Sequence, residues 1–274
     1  MSSPTSQQVD EVGGIYDEMS DLVGVFHGNI HLGYWTGDDD RTPLRDALER
    51  LTDLVADTLA LSPGQHLVDV GCGVGEPAIR IAKRFGVRIT GITNSAWHAA
   101  ETTRRAVAAG VADLVTARRA DAGALPFPDS AFDALLALDS LPNAVDRAQW
   151  LGEMSRVLRP GGRFAVTDYP VERALTPADR EAIATHAILD PLTAAALCDL
   201  VTGAGLVVER RWDWGARACR TYDEVAALFR TRQSALADAY GAERVRAFER
   251  SLAPVFDVCR NKLGYVLVTG RRPG

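Results

Sequence analysis

Leu67-Val68-Asp69-Val70-Gly71-Cys72-Gly73-Val74-Gly75-Glu76-Pro77 is the stretch on which the fold turns. An apolar run enters it from Gln65, and Ile79, Ile81, Ala82 and Phe85 leave it with helical spacing. A buried strand that ends on glycines and passes directly into a helix is the opening unit of a doubly wound sheet. Gly71 and Gly73 let the backbone turn tightly and approach a ligand with no Cβ in the way. Glycines in such a turn also serve purely structural ends, so the loop takes its meaning from its surroundings. A dinucleotide loop carries a third glycine, here at position 76, and sets a diphosphate on the helix N-terminus. This chain has Glu76 and Pro77 instead. A carboxylate there repels a diphosphate and suits a ligand with a positive centre and no phosphate.

Outward from that stretch, strand and helix patterns alternate. Val87–Ile92, Leu114–Ala117, Phe132–Leu138 and Arg163–Asp168 read as strands. Ala96–Ala109 and about 147–158 read as helices, stopping at Gly110 and at Pro160-Gly161-Gly162. Such alternation with short loops predicts a parallel sheet covered on both faces. Beyond it lie a helical run from Thr176 to Ala204, a strand over Leu206–Trp212, helices near Tyr222–Ala239 and Ala242–Lys262, and a final strand over Tyr265–Thr269. The expected organisation is an N-terminal lid segment (1–42), a Rossmann-like core (43–170), an acceptor-binding helical lid (171–262) that includes a strand near 206–212, and a closing strand (263–274).

A net charge of -6 offers no electrostatic support for nucleic-acid binding, which needs clustered Lys and Arg. Residues 1–10 lack the basic and apolar segments of a secretory signal, and no apolar run approaches the ~18 residues that span a bilayer. Cys72, Cys198, Cys219 and Cys259 are scattered without metal-ligand spacing. The expectation is a cytoplasmic protein with reduced thiols and no metal site.

Asp121, in Ala120-Asp121-Ala122, falls where the loop after a third strand meets an adenine, whose exocyclic amine it can accept; by itself it reads equally as a loop-capping aspartate. S-adenosylmethionine, a sulfonium without phosphate, meets the demands of both loops. Together Asp69-x-Gly71-x-Gly73-x-Gly75, Asp121 ahead of Leu125-Pro126-Phe127, Phe132-Asp133 and Glu153-x-x-Arg156-Val157-Leu158-Arg159-Pro160-Gly161-Gly162 resemble the class I S-adenosylmethionine-dependent methyltransferases. The entry His31-Leu32-Gly33-Tyr34-Trp35 is similar to that of actinobacterial natural-product enzymes, the rebeccamycin sugar O-methyltransferase group among them. The resemblance runs over nearly the whole chain. It implies a seven-stranded, mostly parallel sheet with an antiparallel last strand, under a helical lid. It also implies that Asp69, Gly71, Cys72 and Gly73 lie along the methionine part, Asp121 and Ala122 hold the adenine, and Leu138 runs beside the cofactor. Tyr16, Tyr34 and Trp35 are then expected to close over it, since an aromatic face attracts a cation. Trp35 reads equally as a core residue.

Two departures stand out. An acidic residue usually ends the second strand to bind ribose; here Thr93, Asn94 or His98 must serve, although His98 reads equally as a helix-surface residue. O-methylating relatives often carry a His pair after the fourth strand, where this chain has Leu138-Asp139-Ser140-Leu141-Pro142-Asn143, with Asp139 and Asn143 facing the acceptor. Neither Pro142 nor Asn143 is a base. Asp168 and His186 are the remaining catalytic candidates, each also readable as an ordinary structural residue. Alternatively, the acceptor needs little base help, or the chain keeps the cofactor as a cyclase or isomerase without transferring its methyl group. The expected partner is a small-molecule acceptor, and the assembly is open between monomer and homodimer.

Overall fold

The computed structural model describes residues 28–29, 31–185, 188 and 190–274. Its elements in chain order are α1 Leu44–Thr58, β1 His66–Val70, α2 Glu76–Phe85, β2 Arg88–Thr93, α3 Ala96–Ala108, β3 Val115–Arg119, β4 Phe132–Ala137, α4 Arg147–Val157 and β5 Leu158–Asp168. Then come α5 Pro177–Ala184, α6 Ala194–Gly203, β6 Val207–Asp213, α7 Gly215–Ala218, α8 Arg220–Thr231, α9 Gln233–Tyr240, α10 Ala242–Lys262 and β7 Val266–Arg271. The seven strands form one sheet in the order β3-β2-β1-β4-β5-β7-β6. β1 to β5 pair in parallel, and β7 runs antiparallel between β5 and β6. The chain reverses direction across the sheet between β1 and β4, which opens a crevice at their carboxyl ends.

Local chemistry explains the helix starts that frame this crevice. α2 begins after Gly75, which sits at φ +82°, with Pro77 in its first turn; Lys83 and Arg84 close its last turn before Gly86 at φ +65°. The Ser95 side chain accepts the His98 N–H to start α3, and the Asp146 carboxylate accepts the Gln149 N–H to start α4. Central strands are apolar on both sides: Leu67, Val68 and Val70 of β1 are fully buried. Two cores result. One packs α1, α2 and part of the lid on one face, and the other packs α4 and α6 on the other. A third, smaller cluster of Val225, Phe229, Leu236, Val245 and Leu252 holds α8, α9 and α10 together.

The structure departs from the expected pattern in three places, two of them in the helical region. The run from Thr176 to Ala204 is two helices, because Asp190 precedes Pro191, which lacks an N–H and disfavours the helical conformation before it; Thr193 then caps a new start. The expected helix Tyr222–Ala239 breaks at Arg232, between α8 and α9. At the other end of the sheet, β5 pairs with β4 from Leu158 onward, and the register shift beside Gly161 (φ +76°) absorbs Pro160-Gly161-Gly162 within the strand.

Candidate active site

The crevice is partly open to solvent, and its empty space, open solvent included, is about 820 Å³. It is lined by Gly71, Cys72 and Gly73, by Thr93, Asn94 and His98, by Asp121 and Ala122, and by Leu138, Asp139, Ser140 and Asn143, with Ser140 directly against the Gly71 turn. The structure thus brings together nine of the expected cofactor residues and both expected acceptor residues. His98 is buried, 2% exposed, and faces the cleft; the helix-surface reading fails.

Gly71 lies at φ +83°, and a Cβ built there would run into the Ser140 side chain. At Gly75, φ +82°, a Cβ would run into Thr102. The loop therefore needs glycine for both conformation and space. Asp69 sits behind it, 2% exposed, with Oδ2 lacking any hydrogen-bond partner. Burial pushes its carboxyl up to about 7. Asp69 is itself absent from the cleft wall, so a cationic ligand such as S-adenosylmethionine, with its sulfonium and ammonium, would compensate this orphaned oxygen through space rather than by contact. Asp121 also lines the cleft, and its Oδ1 accepts the Gly123 N–H at 2.8 Å; a carboxylate there can accept an adenine amine. The site fits the cofactor.

The charge argument at Glu76 changes in the folded protein. Its carboxylate pairs with Arg105 at 2.6 Å and is absent from the cleft wall, so it is neutralised rather than aimed at a ligand.

Other expected residues lie elsewhere. Trp35 is 1% exposed, its Nε1–H donates to the Thr42 carbonyl at 2.9 Å, and the Arg220 guanidinium stacks 5.1 Å from its ring centre. Tyr34 packs edge-on against Trp214, 5.2 Å between ring centres. Neither lines the cleft; both are held in the packing between α1 and the lid. Asp168 is likewise outside the cleft, in a buried ion pair with Arg147 at 3.2 Å while accepting the Tyr169 N–H at 2.7 Å. Burial pushes its carboxyl up and Arg147 pulls it back down. Tyr16 and His186 lie outside the described residues.

The sequence reading missed His31, Ser140 and Trp150, all on the cleft wall. His31 arrives on the segment 31–36, a strap in front of α1. Its Nδ1 meets the Leu32 carbonyl at 2.8 Å, and its Nε2 meets Thr52 Oγ1 at 3.0 Å and Asn29 Oδ1 at 3.2 Å. Both ring nitrogens are thus engaged, and burial lowers its pKa. Ser140 donates its hydroxyl to the Val70 carbonyl, tying β1 to the turn after β4. Trp150 stands on the first turns of α4, where Gln149 donates to the Gly123 carbonyl at 2.9 Å and brings that helix against the Asp121 loop. Trp150 had a signal, an aromatic one helical step past a capped start; Ser140 had none beyond its neighbours.

Comparison with known proteins agrees with this geometry. Residues 68–166 match the methyltransferase domain family. The chain is 35% identical to the 27-O-demethylrifamycin SV methyltransferase of Amycolatopsis mediterranei, over 100% of both chains. It is 33% identical to methyltransferase GfsG of Streptomyces halstedii, over 96% of this chain and 94% of that one. Among solved structures, the [4+2]-cyclase SpnF superposes with a TM-score of 0.82 at 33% identity, over 100% of this chain and 98% of that one. These relatives do not single out the sugar O-methyltransferase subgroup. A chain with this sheet order, this glycine loop over a buried aspartate and these full-length relatives belongs to the class I S-adenosylmethionine-dependent methyltransferases of the natural-product type, and S-adenosylmethionine is its cofactor.

Proposed function

We propose that the protein methylates a small natural-product acceptor by in-line transfer, with the acceptor entering from the side of the cleft bounded by Asp139, Ser140 and Asn143. The observation that supports this reading is that those residues share the cleft with the glycine loop; the helical region 171–262 is its expected lid. When bound, the cofactor supplies an electrophilic methyl group on a sulfonium. The chain's own residues position and desolvate: Gly71 and Gly73 allow backbone contact, Asp69 offers countercharge, and Asp121 fixes the purine. Proximity and alignment then carry the rate. The full-length relative named for O-methylation supports a hydroxyl acceptor.

A second reading, in which the cofactor is retained while the pocket folds an acceptor for cyclisation, is favoured by two observations. One is the cyclase neighbour. The other is that three of the described candidate bases are engaged: Asp168 by Arg147 outside the cleft, His31 at both nitrogens, and Asp139 by four donors. Incubation with methyl-labelled cofactor and a panel of polyketide-type hydroxyl acceptors tests the two. Label in the product, with S-adenosylhomocysteine released in equal amount, supports methylation. Converted acceptor of unchanged mass without label sinks it and leaves cyclisation.

A further inference from the structure

A carboxylate offers about four lone-pair positions. At Asp139 all are taken. Oδ1 accepts the hydroxyls of Thr167 and Tyr265, each at 2.6 Å; Oδ2 accepts the Tyr169 hydroxyl at 2.8 Å and the Leu32 N–H at 3.1 Å. Thr167 also accepts the Asp139 N–H at 2.7 Å, so one hydroxyl grips the residue at both ends. Three of the donors come from β5 and the approach to β7, and the fourth from the strap that carries His31 into the cleft wall. The other strap bonds run to different elements: Gly33 N–H to Thr221 of α8 at 2.8 Å, Tyr34 N–H to Ala47 of α1 at 2.9 Å, and His31 to Thr52 of α1.

We propose that Asp139 is a positioning residue that docks the strap, and with it His31, onto the carboxyl edge of the sheet. It is neither a base nor an acceptor ligand, because a carboxylate with every lone pair filled takes up no proton and no substrate hydroxyl without breaking one of these bonds. The three hydroxyls aim the carboxylate, and the Leu32 amide binds what they aim. Asp139 stands at φ +54°, a conformation that Asp and Asn tolerate better than other non-glycine residues. The role concerns the wall of the cofactor cleft and is the same whether the acceptor is methylated or cyclised.

Asp139→Asn tests it, because asparagine keeps the shape and suits the backbone but turns one acceptor oxygen into a donor. Amide hydrogen exchange over residues 31–36 is expected to speed up about tenfold, while β1, β5 and β7 change less than twofold. Release of S-adenosylhomocysteine, followed by displacement, is expected to quicken by a similar factor. Neither readout requires turnover, so a failure here is distinct from a failure of the proposed reaction. Unchanged exchange in the strap, or an equal rise throughout the sheet, overturns the proposal. Thr167→Val is the second variant and decides alone if the first does not fold. It leaves the carboxylate but removes its grip, and a smaller rise confined to the strap is expected. No rise overturns the proposal.

Discussion

The two sides of the cleft are built in opposite ways. On the cofactor side, residues 69–77 are one continuous stretch in which each residue's conformational preference dictates its place: glycines at positive φ, a proline in the first helical turn, a buried aspartate behind them. On the side of the proposed acceptor entry, Asp139 is held by groups 28, 30, 107 and 126 residues away in sequence. Local backbone geometry makes a site that tolerates little change at a few positions. Long-range hydrogen bonding makes one whose parts can be exchanged together, which is a physical route by which one cofactor scaffold serves many acceptors.

Substitution at the turn itself should break the comparison most severely. Gly71→Ala places a Cβ against Ser140 at an unfavourable φ. Strain plus overpacking of roughly 2–5 kcal/mol predicts loss of S-adenosylhomocysteine affinity by about a hundredfold or more, measured by calorimetry. Gly110→Ala, also at positive φ (+72°) but in open space, is the control and should cost only about 1 kcal/mol of stability. Equal behaviour of the two variants would deny the loop its special role.

Next in size is the buried Arg147–Asp168 pair outside the cleft. Arg147→Met leaves Asp168 without its cation and should destabilise the fold by about 3–5 kcal/mol in urea unfolding. The sign with pH is definite. Removing Arg147 raises the folded-state pKa of Asp168 further above its unfolded value, so the folded variant holds a proton more tightly. The loss should therefore be smaller at pH 5 than at pH 8. A loss independent of pH would show that the pair contributes packing rather than charge.

Asp69 gives the corresponding test behind the glycine loop. With its carboxyl raised from 3.8 to about 7, the folded cofactor-free protein binds a proton the unfolded chain has lost. Stability then falls as pH rises across that interval and is flat above it. Asp69→Asn removes this dependence, and at pH 8 the cofactor-free variant should be more stable than the wild type by on the order of 2–4 kcal/mol. Its affinity for S-adenosylhomocysteine should be weaker. A variant that is less stable at pH 8 would mean that the orphaned oxygen has a partner.

The smallest effects separate two tryptophans. Trp35→Phe should cost about 1 kcal/mol of stability and leave cofactor affinity within about twofold, since Trp35 is buried away from the cleft. Trp150→Ala, on the cleft wall, should weaken cofactor binding by about 1 kcal/mol or more, several-fold, with little effect on the lid. The reverse pattern would restore Trp35 as the residue that closes over the cofactor.

Much of the fold was legible in the residues because it repeats local rules. The apolar run ending at Gly71 marks β1, the run Val87–Ile92 marks β2, and Ser95 and Asp146 cap the starts of α3 and α4. The cofactor wall at Gly71, Gly73, Thr93, His98 and Asp121 follows once those elements are in order, because a doubly wound sheet brings the ends of successive strands to one crevice. The break at Asp190-Pro191 was equally written in the chain and was overlooked in favour of helical periodicity. Tyr34 and Trp35 show the limit of motif reading: an aromatic pair near a cofactor sequence has no marker that says which way it faces.

What the sequence determined by itself is the strand-glycine-helix turn, the alternation that builds a parallel sheet, and hence the crevice and its cofactor, because these depend on φ, ψ and hydrophobic period within a few residues. What only tertiary structure decided is how the candidate side chains beyond that turn are engaged. The filling of Asp139 by Leu32, Thr167, Tyr169 and Tyr265, the capture of Asp168 by Arg147 and the burial of Trp35 under Arg220 are contacts between distant segments. A side chain's chemistry depends on the groups its neighbours bring to it, and those neighbours are set by the packing of the whole chain.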